Sequence, residues 1–161
     1  NYRPEWELIE GTQVTVEYGH LKFIYGGTGG TYIKTPLNTT VGIWQWRFKH
    51  LSSPTNYWWL VYIIEGADGN INVQNTADID LALSVLGTKI ISTSPITDTD
   101  WHTVRVERDS AGNYELIIDG NSIGTGSSTS LPSSPYVMRV GAATDKYPDT
   151  YFDDIIVCEA L

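Results

Sequence analysis

Apolar and polar residues alternate most regularly between Trp101 and Gly124, WHTVRVERDSAGNYELIIDGNSIG. Val104 and Val106 alternate with Thr103, Arg105 and Glu107, the two-residue period of a half-buried strand. Asp109 to Asn113 (DSAGN) is a polar, Gly-containing loop of hairpin length. Tyr114, Leu116 and Ile118 then alternate with Glu115, Ile117 and Asp119. Asp119-Gly120 predicts a second tight turn, because a type I′ turn needs φ > 0. The stretch therefore predicts three antiparallel strands in succession.

The same period recurs along the chain. Residues 5–17 (EWELIEGTQVTVE) read as a strand, a break at Gly11 and a second short strand. Strands are also expected at 21–25 and at 31–35, where Pro36 ends the pattern. Between them lies the loop Gly26 to Gly30, with neither the Lys-Ser/Thr ending nor the helix that a phosphate loop needs. In 41–51 (VGIWQWRFKHL), Trp44, Trp46 and Phe48 share one face, expected to be core, and Ile43, Gln45, Arg47 and Lys49 share the other. Tyr57 to Glu65 (YWWLVYIIE) is apolar on both faces, as in a covered central strand or one that lines a groove. Further strands are expected at 71–75, 79–86, 88–93, 136–142 and 151–158, with a Ser/Pro-rich loop at 125–135. No stretch carries the helical period. About a dozen short, evenly spaced strands predict an all-β antiparallel sandwich.

Composition agrees: 6 Trp, 10 Tyr and 15 Gly favour strands and turns. The 161 residues are expected to form one domain. A net charge of −9 with only 10 scattered Lys and Arg argues against nucleic acid and against an anionic membrane surface. The longest apolar run, Trp58 to Ile64, is too short for a membrane helix. Cys158 is the only cysteine, so no internal disulfide forms. A chain opening on Asn1 is expected to be mature, excised or truncated. The sequon Asn38-Thr39-Thr40 carries little information.

Four stretches together resemble the concanavalin A-like, laminin G-like jelly-roll domains. They are Trp44 to Phe48, Asp98 to Val106 (DTDWHTVRV), Tyr114 to Gly120 (YELIIDG) and the terminal Phe152-Asp153-Asp154-Ile155. Gly19-His20-Leu21 and Tyr32-Ile33 sit where such domains place their first strands. The resemblance implies a jelly roll of two antiparallel sheets, one of them concave. That architecture serves lectins, carbohydrate-binding modules, glycan lyases and hydrolases, and adhesive modules. It also implies a structural calcium between the chain ends, for which Asp153, Asp154, Asp149 and Glu7, with Glu5, are the candidate oxygens. The plain alternative is a solvated acidic loop with one Asp capping backbone amides.

Catalytic readings find little support. Laminarinase-like relatives set two Glu around an Asp on one strand, whereas Asp78 to Leu83 (DIDLAL) has no Glu. A lyase-type site would need Tyr62, His102 and Arg105 to converge; the plain reading of His102 is a side chain packed or hydrogen-bonded beside Trp101. Gly120-Asn121-Ser122-Ile123-Gly124 matches G-x-S-x-G but follows a hairpin turn in an all-β pattern, so it reads as chance.

Aromatics are the better clue, since the C–H face of a sugar stacks on Trp or Tyr while polar side chains bind its hydroxyls. The candidates are Trp58, Trp59 and Tyr62, laid beside Gln45, Arg47 and Arg105. The pattern leaves open whether Tyr57, Trp59, Val61 and Ile63 or Trp58, Leu60, Tyr62 and Ile64 take the ligand side; the plain alternative puts every Trp in the core. The expected function is non-catalytic, extracellular carbohydrate binding as a lectin-like module. The second expectation is a self-associating structural or adhesive subunit of a filament, envelope or virion, and the third a glycan hydrolase or lyase. The expected partner is a glycan, with no nucleic acid and no membrane insertion.

Overall fold

The computed structural model describes residues 7–10, 14–24, 31–52, 58–76, 79–142 and 149–159, with the backbone alone at 7–10, 58, 142 and 159. The first seven strands are β1 (Glu7–Glu10), β2 (Val14–Glu17), β3 (His20–Phe23), β4 (Thr31–Leu37), β5 (Gly42–His50), β6 (Trp58–Gly66) and β7 (Gly69–Thr76). The rest are β8 (Asp80–Val85), β9 (Thr88–Thr93), β10 (His102–Arg108), β11 (Asn113–Ile118), β12 (Asn121–Ser127), β13 (Tyr136–Ala142) and β14 (Thr150–Glu159). Among the described residues there is no helix.

The strands form two antiparallel sheets of seven, ordered β1-β4-β13-β6-β7-β8-β9 (sheet A) and β12-β11-β10-β5-β14-β3-β2 (sheet B). The opening alternation is β10, β11 and the entry to β12. Asp119 (φ 50°) and Gly120 (φ 79°) both take the left-handed conformation that the second turn requires.

Between the sheets lies one apolar layer. Trp44, Trp46 and Phe48 of β5 are fully buried, as their shared face predicts, and meet Val61 and Ile63 of β6 in the same core. Complete burial of a side chain of this size contributes about 1.5–3 kcal/mol. β6 settles its own parity by placing Trp59, Val61 and Ile63 inward. A bulge between Tyr62 and Ile64 turns Ile64 inward as well, so the apolar run fills the core instead of both outer surfaces.

Two expectations are adjusted. β4 continues through Pro36, which pairs with Val137: proline removes one ladder donor, but its φ lies within the extended range. β12 reaches Ser127, into the stretch read as a Ser/Pro loop. At its edge Gly126 lies against Ile90 of β9, where a Cβ would stand 3.0 Å from the Ile90 carbonyl oxygen, so a bare backbone lets the two sheet edges close. Strands β1 and β2, adjacent in sequence, enter different sheets. The Gly11 break and the loop 26–30 lie outside the described residues.

Candidate functional site

The outward face of sheet A carries two parallel rows of side chains set by strand register. One row is Lys34, Arg139, Tyr62, Asn72 and Ser84; the other is Tyr32, Gly141, Leu60, Gln74 and Ala82. Each comes from the non-core positions of a strand whose alternate residues, such as Ile33, Val140, Val61, Val73 and Leu83, build the core. Although they point away from the core, Tyr32 is only 6% exposed, Leu60 7% and Ser84 6%.

Arg139 organises the face. Its guanidinium carbon lies 4.2 Å from the Tyr62 ring centroid and 4.4 Å from that of Tyr32. The two rings are 6.4 Å apart at 50°. One guanidinium Nη forms an ion pair with Glu65 Oε1 at 3.1 Å, so the charge is balanced locally, while Nε is buried with no hydrogen-bond partner. Asn72 donates to Asn70 Oδ1 at 2.7 Å, and its own amide oxygen accepts nothing. Gly141 admits Tyr32: a Cβ there would run into the Thr31 carbonyl and stand 2.6 Å from the Tyr32 ring. The face thus combines two aromatic rings and a planar cation with two buried polar atoms, Asn72 Oδ1 and Arg139 Nε, that have no hydrogen-bond partner.

The predicted site residues are divided among three places. Tyr62 lies on this face. Trp59 is 1% exposed and belongs to the core, where its ring meets Phe48 at 4.7 Å, Trp46 at 6.0 Å and Phe152 at 6.3 Å. The Trp58 side chain lies outside the described residues. Gln45, Arg47 and Arg105 stand on the outward face of sheet B, because β5 pairs with β10 and β14 and not with β6. The expectation that Gln45 and Arg47 flank the Tyr57–Ile64 strand is therefore corrected, since the core separates them. Tyr32, Arg139, Asn72, Gln74 and Glu65 were missed; the signal was the polar alternation within 31–35, 71–75 and 136–142, which says which side a residue takes but not which strands adjoin.

On sheet B, Arg47 covers the Trp101 ring at 4.8 Å and donates to Asp154 at 3.3 Å. Trp101 stacks on Tyr151 at 6.3 Å and 17°. A bulge between Asp153 and Ile156, with Asp154 at φ 47°, turns successive acids to different partners. Asp153 meets His20 at 2.9 Å, and Asp149 meets Lys22 at 3.4 Å. Glu7 belongs to β1 at the edge of sheet A. Among the described residues no three His, Cys, Asp or Glu side chains converge to hold a metal ion, and the side chains of Glu5 and Glu7 lie outside the described residues.

His102 is bracketed by two carboxylates, Nε2 at 2.8 Å from Asp98 and Nδ1 at 2.7 Å from Asp119. Burial pulls its pKa down, but the hydrogen bonds to Asp98 and Asp119 outweigh it, and the net shift is upward. This clamp joins the loop before β10 to the β11–β12 turn. With Tyr62 on one outward face and Arg105 on the other, the three do not converge as a lyase-type site would require. Ser122 lies in an antiparallel edge strand, without the strand-to-helix turn that G-x-S-x-G chemistry needs.

Comparison with solved structures extends over nearly the whole chain. The carbohydrate-binding module CBM66 from Bacillus subtilis superposes with a TM-score of 0.66 at 10% identity, covering 93% of this chain and 92% of that one. The metal-free carbohydrate recognition domain of Emp46p gives 0.72 at 11% identity, over 94% and 85%. The alginate lyase AlgAT5 of polysaccharide lyase family 7 gives 0.66 at 13% identity, over 94% and 84%. The chain has the concanavalin A-like jelly-roll fold. The sequence matches no family model and no curated protein, so at these identities the jelly roll rests on shape and topology.

Proposed function

We propose that this jelly roll is a non-catalytic carbohydrate-binding module of an extracellular or cell-surface protein, and that it takes its glycan on the outward face of sheet A. The observation that carries this reading is the Tyr32–Arg139–Tyr62 cluster, which faces outward beside the amides of Asn72 and Gln74. The half-buried Tyr62 ring offers apolar surface to sugar C–H groups, and the Gln74 amide can both donate to and accept from hydroxyls. The likeness to a carbohydrate-binding module and a carbohydrate recognition domain supports it. Glycan-array and affinity-gel binding tests it, with Tyr62→Ala and Arg139→Ala as the variants. Binding that both changes leave untouched, or binding to no glycan at all, overturns the assignment. Release of reducing ends or unsaturated uronates from a bound glycan would make the domain an enzyme instead.

One observation favours a structural subunit as the second reading. Strand β2, at the edge of sheet B, exposes Val16 (73%) and Tyr18 just beyond it (86%). Exposed strand edges pair readily with other chains. Light scattering that shows ordered polymers would favour this reading, and a strict monomer would count against it.

A further inference from the structure

The outward face of sheet B holds a depression of about 530 Å³ on the far side of the core from Tyr62. Its floor is one row of side chains, Ile117, Arg105 and Gln45, each from a different strand and aligned by register. Thr103 and Glu107 flank Arg105 along β10, and Asp119 closes one end. Asp119 is already engaged, one carboxylate oxygen accepting the Thr103 amide at 2.7 Å and the other meeting His102. It serves as a fixed wall. Arg105 Nη2 forms an ion pair with Glu107 Oε1 at 2.6 Å, so these two charges offset each other, while Arg105 Nε is buried with no hydrogen-bond partner.

We infer that this depression is a second ligand site, for a neutral oligosaccharide. Its volume falls in the range of small-ligand sites. Each charged side chain of the lining is already engaged, Arg105 with Glu107 and Asp119 with the Thr103 amide and His102, which disfavours an ionic ligand. Gln45 both donates and accepts, Arg105 donates, Glu107 accepts and Thr103 does either, which suits the vicinal hydroxyls of a sugar ring over the apolar Ile117. With ligand surfaces on both outward faces, one copy of the domain bridges two glycan chains. The inference shares its ligand chemistry with the proposed function but needs none of its residues.

The test is titration calorimetry of the whole chain with maltohexaose, cellohexaose, laminarihexaose and mannohexaose, with deuterium exchange on the unaltered protein as a readout that no misfolded variant can confuse. Two ligands per chain are expected, with slowed exchange on both 103–107 and 60–62. Gln45→Ala with Arg105→Ala should weaken one site by about tenfold or more and leave the other intact; Arg105→Lys, a milder change, should weaken the same site. Saturation at one ligand, with protection confined to sheet A and no effect of the Arg105 variants, overturns this inference and leaves the Tyr62 face standing. One ligand, protected at 103–107 and lost with Arg105, supports it and overturns the Tyr62 face. No heat and no protection with any of the four overturns both.

Discussion

Arg139 lies over the ring of Tyr62, its guanidinium carbon 4.2 Å from the centroid, although the two residues are far apart in sequence. Pairing of β13 with β6 sets them side by side, and pairing of β13 with β4 brings Tyr32 to the other flank of the same guanidinium. The contact depends on a planar cation that can cover an aromatic face while ion-paired to Glu65. Arg139→Lys is therefore not a conservative change. It should lower stability by about 1 kcal/mol or less, as read from urea unfolding, because the group is partly exposed. Its effect on glycan affinity should be the larger one.

Trp59 and Tyr62, three positions apart on β6, should separate stability from binding. Trp59→Ala empties a fully buried site among Phe48, Trp46 and Phe152 and should cost about 3–5 kcal/mol. Tyr62→Ala should unfold at nearly the wild-type urea concentration yet lose glycan binding. Equal destabilisation by the two changes would contradict the assignment of Tyr62 to the outward face.

Gly141→Ala should disturb the face without touching a ligand-facing side chain. The added methyl meets the Thr31 carbonyl and the Tyr32 ring, which must move. Overpacking of this kind costs about 1–3 kcal/mol. The near-ultraviolet circular dichroism of the tyrosines should change along with the melting temperature, and binding should weaken.

Two histidines should give stability opposite pH dependences. The pKa of His102 is raised in the folded state, so its stabilisation is complete below the unfolded value near 6.5 and fades as pH rises through the folded value. His50 is buried, and burial first, with the charge of His102 second, lowers its pKa to about 4. Its contribution is present above pH 6.5 and is lost as pH falls towards 4. The stability difference between wild type and His102→Gln should therefore shrink on going from pH 6 to pH 8. The difference between wild type and His50→Gln should shrink from pH 7 to pH 4. Differences that stay flat with pH would contradict the Asp98–His102–Asp119 clamp and the burial of His50.

Much of this architecture was legible in local pattern. The alternation around Val104 and Leu116 and the Asp119-Gly120 turn give β10, β11 and their connections, and the inward face of β5 follows from Trp44, Trp46 and Phe48. The candidate site was legible only at Tyr62. Gln45, Arg47 and Arg105 were correctly outward, but outward from the other sheet.

By itself, then, the sequence determined the strand set, the all-β class and the core side of most strands, because a two-residue period and turn chemistry are properties of neighbouring residues. Only the tertiary structure decided which outward face each polar row joins. A sandwich has two such faces, and a residue's place on one depends on partners such as β4, β6 and β13 that come from distant parts of the chain. Bulges added what no simple alternation carries. The extra residue at Tyr62–Ile64 sends Ile63 and Ile64 both inward, and the one at Asp153–Ile156 turns two neighbouring acids to different partners.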